Sequence, residues 1–293
     1  MKKHKLITTI AKPNTMKRLA LLLIITLLLT NCKEPKTEIK NDLISQKING
    51  NVKTIIESGY NVIEKFGEVE KNTLQDKRIT HFNPQGNIIE EITFSDVRKY
   101  KYNEIGKLTE VKEYNAGKYF SKETYEYDKK GNLVKKNNYS GPNEEFSYRF
   151  IYKHDEKGNL IKWSHYNPDG NLISYWAFNH DNSGNVIGIK NYDSNSILKG
   201  IISYAYDENN NRTEIAEFDK DSTFLSNGFY SEYDKNNNTI KDSSYSINDG
   251  HATPYYYKYL YDKNNNWTKM IQYKGTKAIK QIERVIEYYK SIN

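Results

Sequence analysis

The chain has a single cysteine among 293 residues, only 3 Met and 6 Pro, and no long apolar run after residue 29. One thiol excludes a disulfide framework and every zinc spacing built on paired cysteines. No Gly-rich phosphate loop occurs, and the six histidines are scattered: His4, His81, His154, His165, His180 and His251. No nucleophile, base and metal-ligand set therefore comes together in sequence, and a non-enzymatic protein without cofactor or metal is expected. A mean hydropathy of −0.87 argues for a thin, highly solvated architecture over a deep core.

What is abundant is tyrosine, 26 residues, within a chain that is 37% apolar and 13% aromatic. The formal charge of +7 is concentrated at the N-terminus, where Lys2, Lys3, Lys5, Lys12, Lys17 and Arg18 stand without an acid before residue 32. Without those six, 38 basic residues face 37 acidic ones, a charge of about +1. The basic character thus belongs to the leader, and no nucleic-acid partner is expected.

Lys17 and Arg18 precede the apolar run Leu19 to Leu29, the length of a signal-peptide core and short for a membrane span. The run ends in "LTNC", Leu29 to Cys32, which resembles a bacterial lipobox, with Asn31 in place of the usual small residue. The resemblance implies a signal peptide over residues 1–31, with Met16 a plausible start, lipidation of Cys32 and a membrane partner through that anchor. Lys33 and Glu34 resemble the export signal of surface lipoproteins of Bacteroidota, interrupted by Pro35. An outer-membrane protein exposed at the cell surface is expected, on a flexible tether over residues 32–50.

The rest of the chain is organised by a repeat. "FNPQGN" at Phe82, "YNEIGK" at Tyr102, "YDKKGN" at Tyr127, "HDEKGN" at His154, "HDNSGN" at His180, "YDENNN" at Tyr206, and "YDKNNN" at Tyr233 and Tyr261 follow one another at spacings of 20, 25, 27, 26, 26, 27 and 28 residues. A second aromatic stands 12 residues after each first one, at Phe94, Tyr114, Tyr139, Tyr166, Tyr192, Phe218, Tyr245 and Tyr273. Each unit reads as strand, turn, strand, turn. In the turns Asp128, Asp155, Asp181, Asp207, Asp234 and Asp262 accept backbone amide bonds. Gly131, Gly158 and Gly184, then Asn210, Asn237 and Asn265, supply the left-handed position, which asparagine tolerates best after glycine. Asp262, Asn264 and Asn266 alternate like calcium ligands, but the loop's sixth and twelfth places are held by Trp267 and Tyr273, so a turn is the better account.

Eight such units over residues 81–275 predict an all-β fold of repeated antiparallel hairpins, forming a long curled sheet or an open β-solenoid. Residues 51–80 read as an N-terminal capping hairpin and residues 276–293 as a C-terminal capping strand. The apolar spacing of Ala278 to Tyr289 also fits a helix, but the repeat register favours a strand. Aromatics alternate before the turns, as at Tyr255, Tyr257, Tyr259 and Tyr261, and would form ladders across stacked units. Trp163, Trp176, Tyr255 and Tyr256 are the candidate ligand-binding aromatics.

The units "YEYDKKGNLVKKNNY" (Tyr125 to Tyr139) and "YKHDEKGNLIKWSHY" (Tyr152 to Tyr166) resemble YD repeats of the RHS type. That resemblance covers about residues 80–275 and implies a shared building unit. RHS proteins wind many such hairpins into a shell around a toxin, but this chain lacks the family's core segment and a C-terminal cargo domain. The function expected is a non-catalytic binding or scaffold module for a glycan or protein ligand. The alternatives are an accessory, immunity or carrier component of an RHS-like toxin system, or an accessory to an outer-membrane hydrolase.

Overall fold

The computed structural model describes residues 41–246 and 250–290, so the signal segment, Cys32 and residues 32–40 of the tether lie outside the described residues. One helical turn, α1 (Asp42–Ser45), precedes nineteen strands. A long hairpin opens the sheet, β1 (Val52–Lys65) and β2 (Glu68–Phe82), followed by β3 (Ile88–Ile92), β4 (Asp96–Tyr102), β5 (Leu108–Asn115) and β6 (Lys118–Tyr127). The middle of the wall is β7 (Leu133–Ser140), β8 (Glu145–His154), β9 (Leu160–Tyr166), β10 (Leu172–His180), β11 (Val186–Asp193), β12 (Leu198–Tyr206) and β13 (Arg212–Asp219). Then come β14 (Phe224–Tyr233), β15 (Thr239–Ser246), the two-residue β16 (Gly250–His251), β17 (Tyr255–Tyr261), β18 (Trp267–Lys274) and β19 (Lys277–Tyr288).

Each strand pairs antiparallel with the next in sequence, except that β15 takes both the short β16 and β17 as partners. The last strand then pairs with the first: β19 and β1 share nine register pairs, from Val52↔Tyr288 to Asn61↔Lys280. The sheet is therefore a closed 18-stranded barrel. This corrects the expectation of a long curled sheet or open solenoid. Residues 51–80 and 276–293 do not cap two separate ends. They are each other's partner, and their pairing removes both free edges of the repeat array.

The turns led by Asp128, Asp155, Asp181, Asp207, Asp234 and Asp262 lie at one mouth of the barrel, together with the entry to β1 and the exit from β19, while Asp193 and Asp219 lead turns at the other. Their chemistry is local. In the turn at Asp128 the carboxylate accepts from the amides of Lys130 (2.9 Å) and Asn132 (2.8 Å), while Asn132 Nδ2 donates to its second oxygen (3.0 Å). Gly131 closes the turn at φ +82°, and Asn210, Asn237 and Asn265 occupy the same place at φ near +60°. Where asparagine stands there, its side chain also links turns: Asn185 Nδ2 donates to Asn210 Oδ1 (2.9 Å) and Asn211 Nδ2 to Asn237 Oδ1 (2.8 Å). Asn210→Ala is expected to lower stability by about 1 kcal/mol, since a Cβ-bearing residue without a polar side chain must hold the left-handed backbone. Asn210→Gly should fall within a few tenths of a kcal/mol of the parent by urea denaturation. Equal losses in both variants would refute this account of the position.

The repeat tyrosines tie one hairpin to the one before. Tyr102, Tyr127, Tyr206 and Tyr233 donate to the carbonyls of Ile88, Leu108, Val186 and Arg212, each the first residue of a strand leaving the preceding turn. That bond gives a physical reason for tyrosine over phenylalanine at this place.

The buried apolar cluster is small and lies at this same mouth. It joins Leu43 and Ile48 to Val52 and Ile55 of β1, Phe82 of β2 and Ile88 of β3. Residues 41–50, the end of the expected tether, are thus folded into a strap. Leu43 N donates to Gly86 O (3.0 Å), Asn41 Nδ2 to Gln85 O (2.7 Å), Lys47 Nζ to Asn211 Oδ1 (2.8 Å) and Asn49 N to Asn266 Oδ1 (2.8 Å). Those turns belong to distant parts of the wall, so the strap crosses the mouth as a chord.

Candidate functional site

Residues directly opposite one another in an antiparallel pair share a face, and the register divides the wall into two chemically different sides. Along β17, Tyr255, Tyr257, Tyr259 and Tyr261 are half-buried, while Tyr256, Lys258 and Leu260 are exposed. The tyrosine side is the inner one. The outer side carries ion pairs between register partners: Lys99–Glu90 (3.7 Å), Lys101–Glu110 (2.8 Å), Lys135–Glu126 (2.8 Å) and Lys241–Glu232 (2.6 Å). A barrel that crosses a bilayer turns an apolar band outward, and a wall with charges at mid-strand is built to face water. Among the described residues no helix is long and apolar enough to cross a membrane.

The inner wall has two regions. Over β8 to β10 it is an aromatic ladder formed by the alternation of each strand. Trp163 and Trp176 stack at 4.6 Å with 22° between planes, and Tyr152 lies on the other side of Trp163 at 6.3 Å and 13°. Phe150 meets Trp163 edge-on at 5.0 Å and lies tilted by 33° against His165 at 4.8 Å. Burial lowers the pKa of His165 and so favours the neutral ring. The Tyr152 hydroxyl is pushed up to about 12 by burial and by the nearby Glu123 charge. The indole Nε1 of Trp163 is buried without a hydrogen-bond partner.

Beside the ladder, over β4 to β7, the wall is charged and encloses a cavity of about 340 Å³. Arg98 donates through Nε and NH2 to Glu113 (3.1 and 3.0 Å), Lys136 pairs with Glu123 (2.6 Å), and the Tyr100 and Tyr125 hydroxyls bond Glu91 and Glu123. Burial and these acceptors raise both tyrosines above the ordinary phenol value. Lys136 also lies over the rings of Tyr125 and Phe150, joining the two regions.

A further cavity of about 260 Å³ lies between the strap and the turns at 234–238 and 262–266. Below it Arg284 donates to Glu57 (2.9 Å) and sits 3.4 Å over the Trp267 ring. Asp262 accepts from the amides of Asn264 and Asn266 (2.8 and 2.9 Å) and from the Tyr288 hydroxyl. Burial works to raise its pKa, but those bonds outweigh it and hold the carboxyl below its ordinary value. Among the described residues no group of three or more His, Cys, Asp or Glu is placed to hold a metal ion.

Of the candidate aromatics, Trp163 and Trp176 are brought together on the inner wall. Tyr255 and Tyr256 are adjacent in β17 and point to opposite faces, Tyr256 outward and 39% exposed, so the four do not form one patch. Trp267 enters the sequence reading only as the residue where a calcium loop needs glycine. A register shift between Leu260 and Tyr261 sets it opposite Tyr261, and its ring lies by Tyr259 and Arg284 on the inner side. Lys47, Asn49 and Arg284 have no such signal, because the strap's docking depends on contacts more than 160 residues away.

No protein-family model matches the chain, and no curated protein matches it. Among solved structures it is similar to a porin-like protein from Bacteroides uniformis, at 10% identity and a TM-score of 0.44, over 82% of this chain and 99% of that one. A porin-like protein from Bacteroides vulgatus has 11% identity and a TM-score of 0.35, over 81% and 98% of the two chains. The Photorhabdus luminescens Tc holotoxin pore has 13% identity and a TM-score of 0.21, over 72% of this chain and 16% of that one. Likeness at this level assigns neither a family nor an activity.

Proposed function

We propose that the chain is a non-catalytic binding protein, held at the outer membrane by a lipid on Cys32 and exposed at the cell surface, which takes part of a glycan or protein ligand into the barrel lumen. The observation that supports it most is the inner wall: an aromatic ladder and a charged cavity on a closed barrel whose buried apolar cluster gathers where the strap meets β1, β2 and β3. The ion-paired outer wall fits a barrel that sits beside a membrane on an anchor and does not cross it. Eight residues, 33–40, separate Cys32 from the strap.

Ring faces in the ladder are already engaged with one another, so a ligand there would meet ring edges, hydroxyls and the Lys136 and Arg98 side chains. The lumen also weighs against a toxin-carrier role. Eighteen strands about 4.8 Å apart give a wall on the order of 100 Å around. Once side chains are allowed for, roughly 20 Å of clear width remains. A folded domain of about 100 residues, with a radius of gyration near 13 Å, is wider than that.

The three tryptophans, all on the inner wall, make the test direct. Acrylamide is expected to quench all three, and a nitroxide-labelled dextran too large for the mouth to quench none. Quenching by both would place the indoles outside. Quenching by neither would mean a collapsed interior, and either result would end the lumen proposal.

A further inference from the structure

The cavity under the strap differs from the rest of the inner surface in its balance of charge. No Asp or Glu lines it, whereas Lys47 and Arg284 both do. Lys47 bonds only the neutral Asn211 side chain and makes no ion pair among the described residues. Arg284 is paired with Glu57, whereas the Lys47 ammonium has no carboxylate in contact and only acts at a distance on Asp207.

The amides around it fall into two groups. Asn266 is fully engaged: its oxygen accepts from Asn49 N, and its Nδ2 donates to Asn49 O and the Tyr288 hydroxyl, both at 2.8 Å. Asn238 Nδ2 donates to the Tyr261 hydroxyl. The side-chain amides of Gln46, Asn49 and Asn265, by contrast, make no hydrogen bond to the described protein. Each amide presents a donor and an acceptor side by side, the complement of neighbouring hydroxyl groups, and an unpaired ammonium complements a carboxylate.

From this we infer that the cavity binds one carboxylated sugar unit of the uronic-acid type, with its carboxylate on Lys47 and its hydroxyls on Gln46, Asn49 and Asn265. A volume of about 260 Å³ lies at the lower end of small-molecule sites and suits a single unit. The inference rests on the proposed binding role and names a ligand class for it. Gln46, Lys47 and Asn49 belong to the strap, so the sugar would also hold the strap to the ring of turns, and its binding would protect the strap's amides from exchange.

Trp267 lines the cavity and reports on it. In protein carrying Trp163→Phe and Trp176→Phe it is the sole indole. D-glucuronate is expected to change its emission saturably, and D-glucose and acetate to bind at least about ten-fold more weakly, because each lacks half of the matched groups. Lys47→Met should weaken glucuronate by about ten-fold or more, the loss typical of a charge-assisted bond. Asn265→Gly keeps the backbone turn and should weaken it less. Absence of a saturable change, an undiminished response in Lys47→Met, or acetate binding as tightly as glucuronate would each overturn the inference. None of these results decides the quencher experiment, which reads the accessibility of all three indoles in the parent protein without any sugar, so the two readings fail separately.

Discussion

Phe82→Ala is expected to destabilise the barrel by roughly 3–5 kcal/mol, the range for removing a large aromatic from a tightly packed site. Phe82 is 1% exposed and sits where the strap, β1 and β3 meet, in contact with the apolar cluster that includes Leu43 and Ile48. Its carbonyl also accepts from the Tyr289 hydroxyl (2.6 Å), at the seam where the chain closes on itself. A cavity there should loosen the strap before the wall. Hydrogen exchange at the Leu43 amide, which is bonded to Gly86 O, should accelerate ahead of exchange in β8 to β10. The comparison is Phe150→Ala in the ladder, where the residue is only half-buried and the loss should be about 1–2 kcal/mol. Equal losses by urea denaturation at the two sites would mean that the lumen is packed as tightly as the mouth, contrary to the fold described above.

The contrast between these two phenylalanines shows which parts of the structure are legible in sequence. Strand direction, turn position and the facing of each aromatic are local properties. The 12-residue spacing from Tyr127 to Tyr139, the left-handed glycine or asparagine, and the alternation of Tyr255 to Tyr261 suffice to write them down. Closure is not local. Val52 and Tyr288 carry no mark that they will face each other, and an array of identical hairpins is equally compatible with an open or a closed sheet until the number of strands and their tilt are fixed. The strap is illegible for a related reason. "KNDLISQKING" is polar enough to read as linker, and only two of its residues, Leu43 and Ile48, carry the apolar contact. The candidate site divides the same way: the repeat places Trp163 opposite Trp176, whereas Lys47 and Trp267 line one cavity only because the strap docks on distant turns.

Acid is expected to weaken the mouth as a unit. Asp128, Asp155, Asp181, Asp207 and Asp262 all have pKa values held below the ordinary carboxylate value of 3.8. In the first four the main cause is the asparagine four residues on, through its backbone amide at Asp128 and its side chain at the others. A carboxyl whose folded value is depressed contributes stability that is complete above its unfolded value and is lost as pH falls through the folded one. The urea midpoint should therefore be flat above about pH 5 and fall from about pH 4 downward, steeply because several turns take up protons together. The same chain shows how to remove the effect without removing the turns. Asn83 and Asn103 stand in the aspartate's place at this mouth, and Asn167 leads a like turn at the other; their side chains still accept from the amides of Asn87, Lys107 and Asn171 at 3.0, 2.9 and 2.8 Å. Asp128→Asn combined with Asp155→Asn and Asp181→Asn should thus fold normally at neutral pH and lose less stability on acidification than the parent. An acid response as steep in the triple variant as in the parent would assign the pH dependence to carboxylates elsewhere, with the ion-paired outer wall the next place to look.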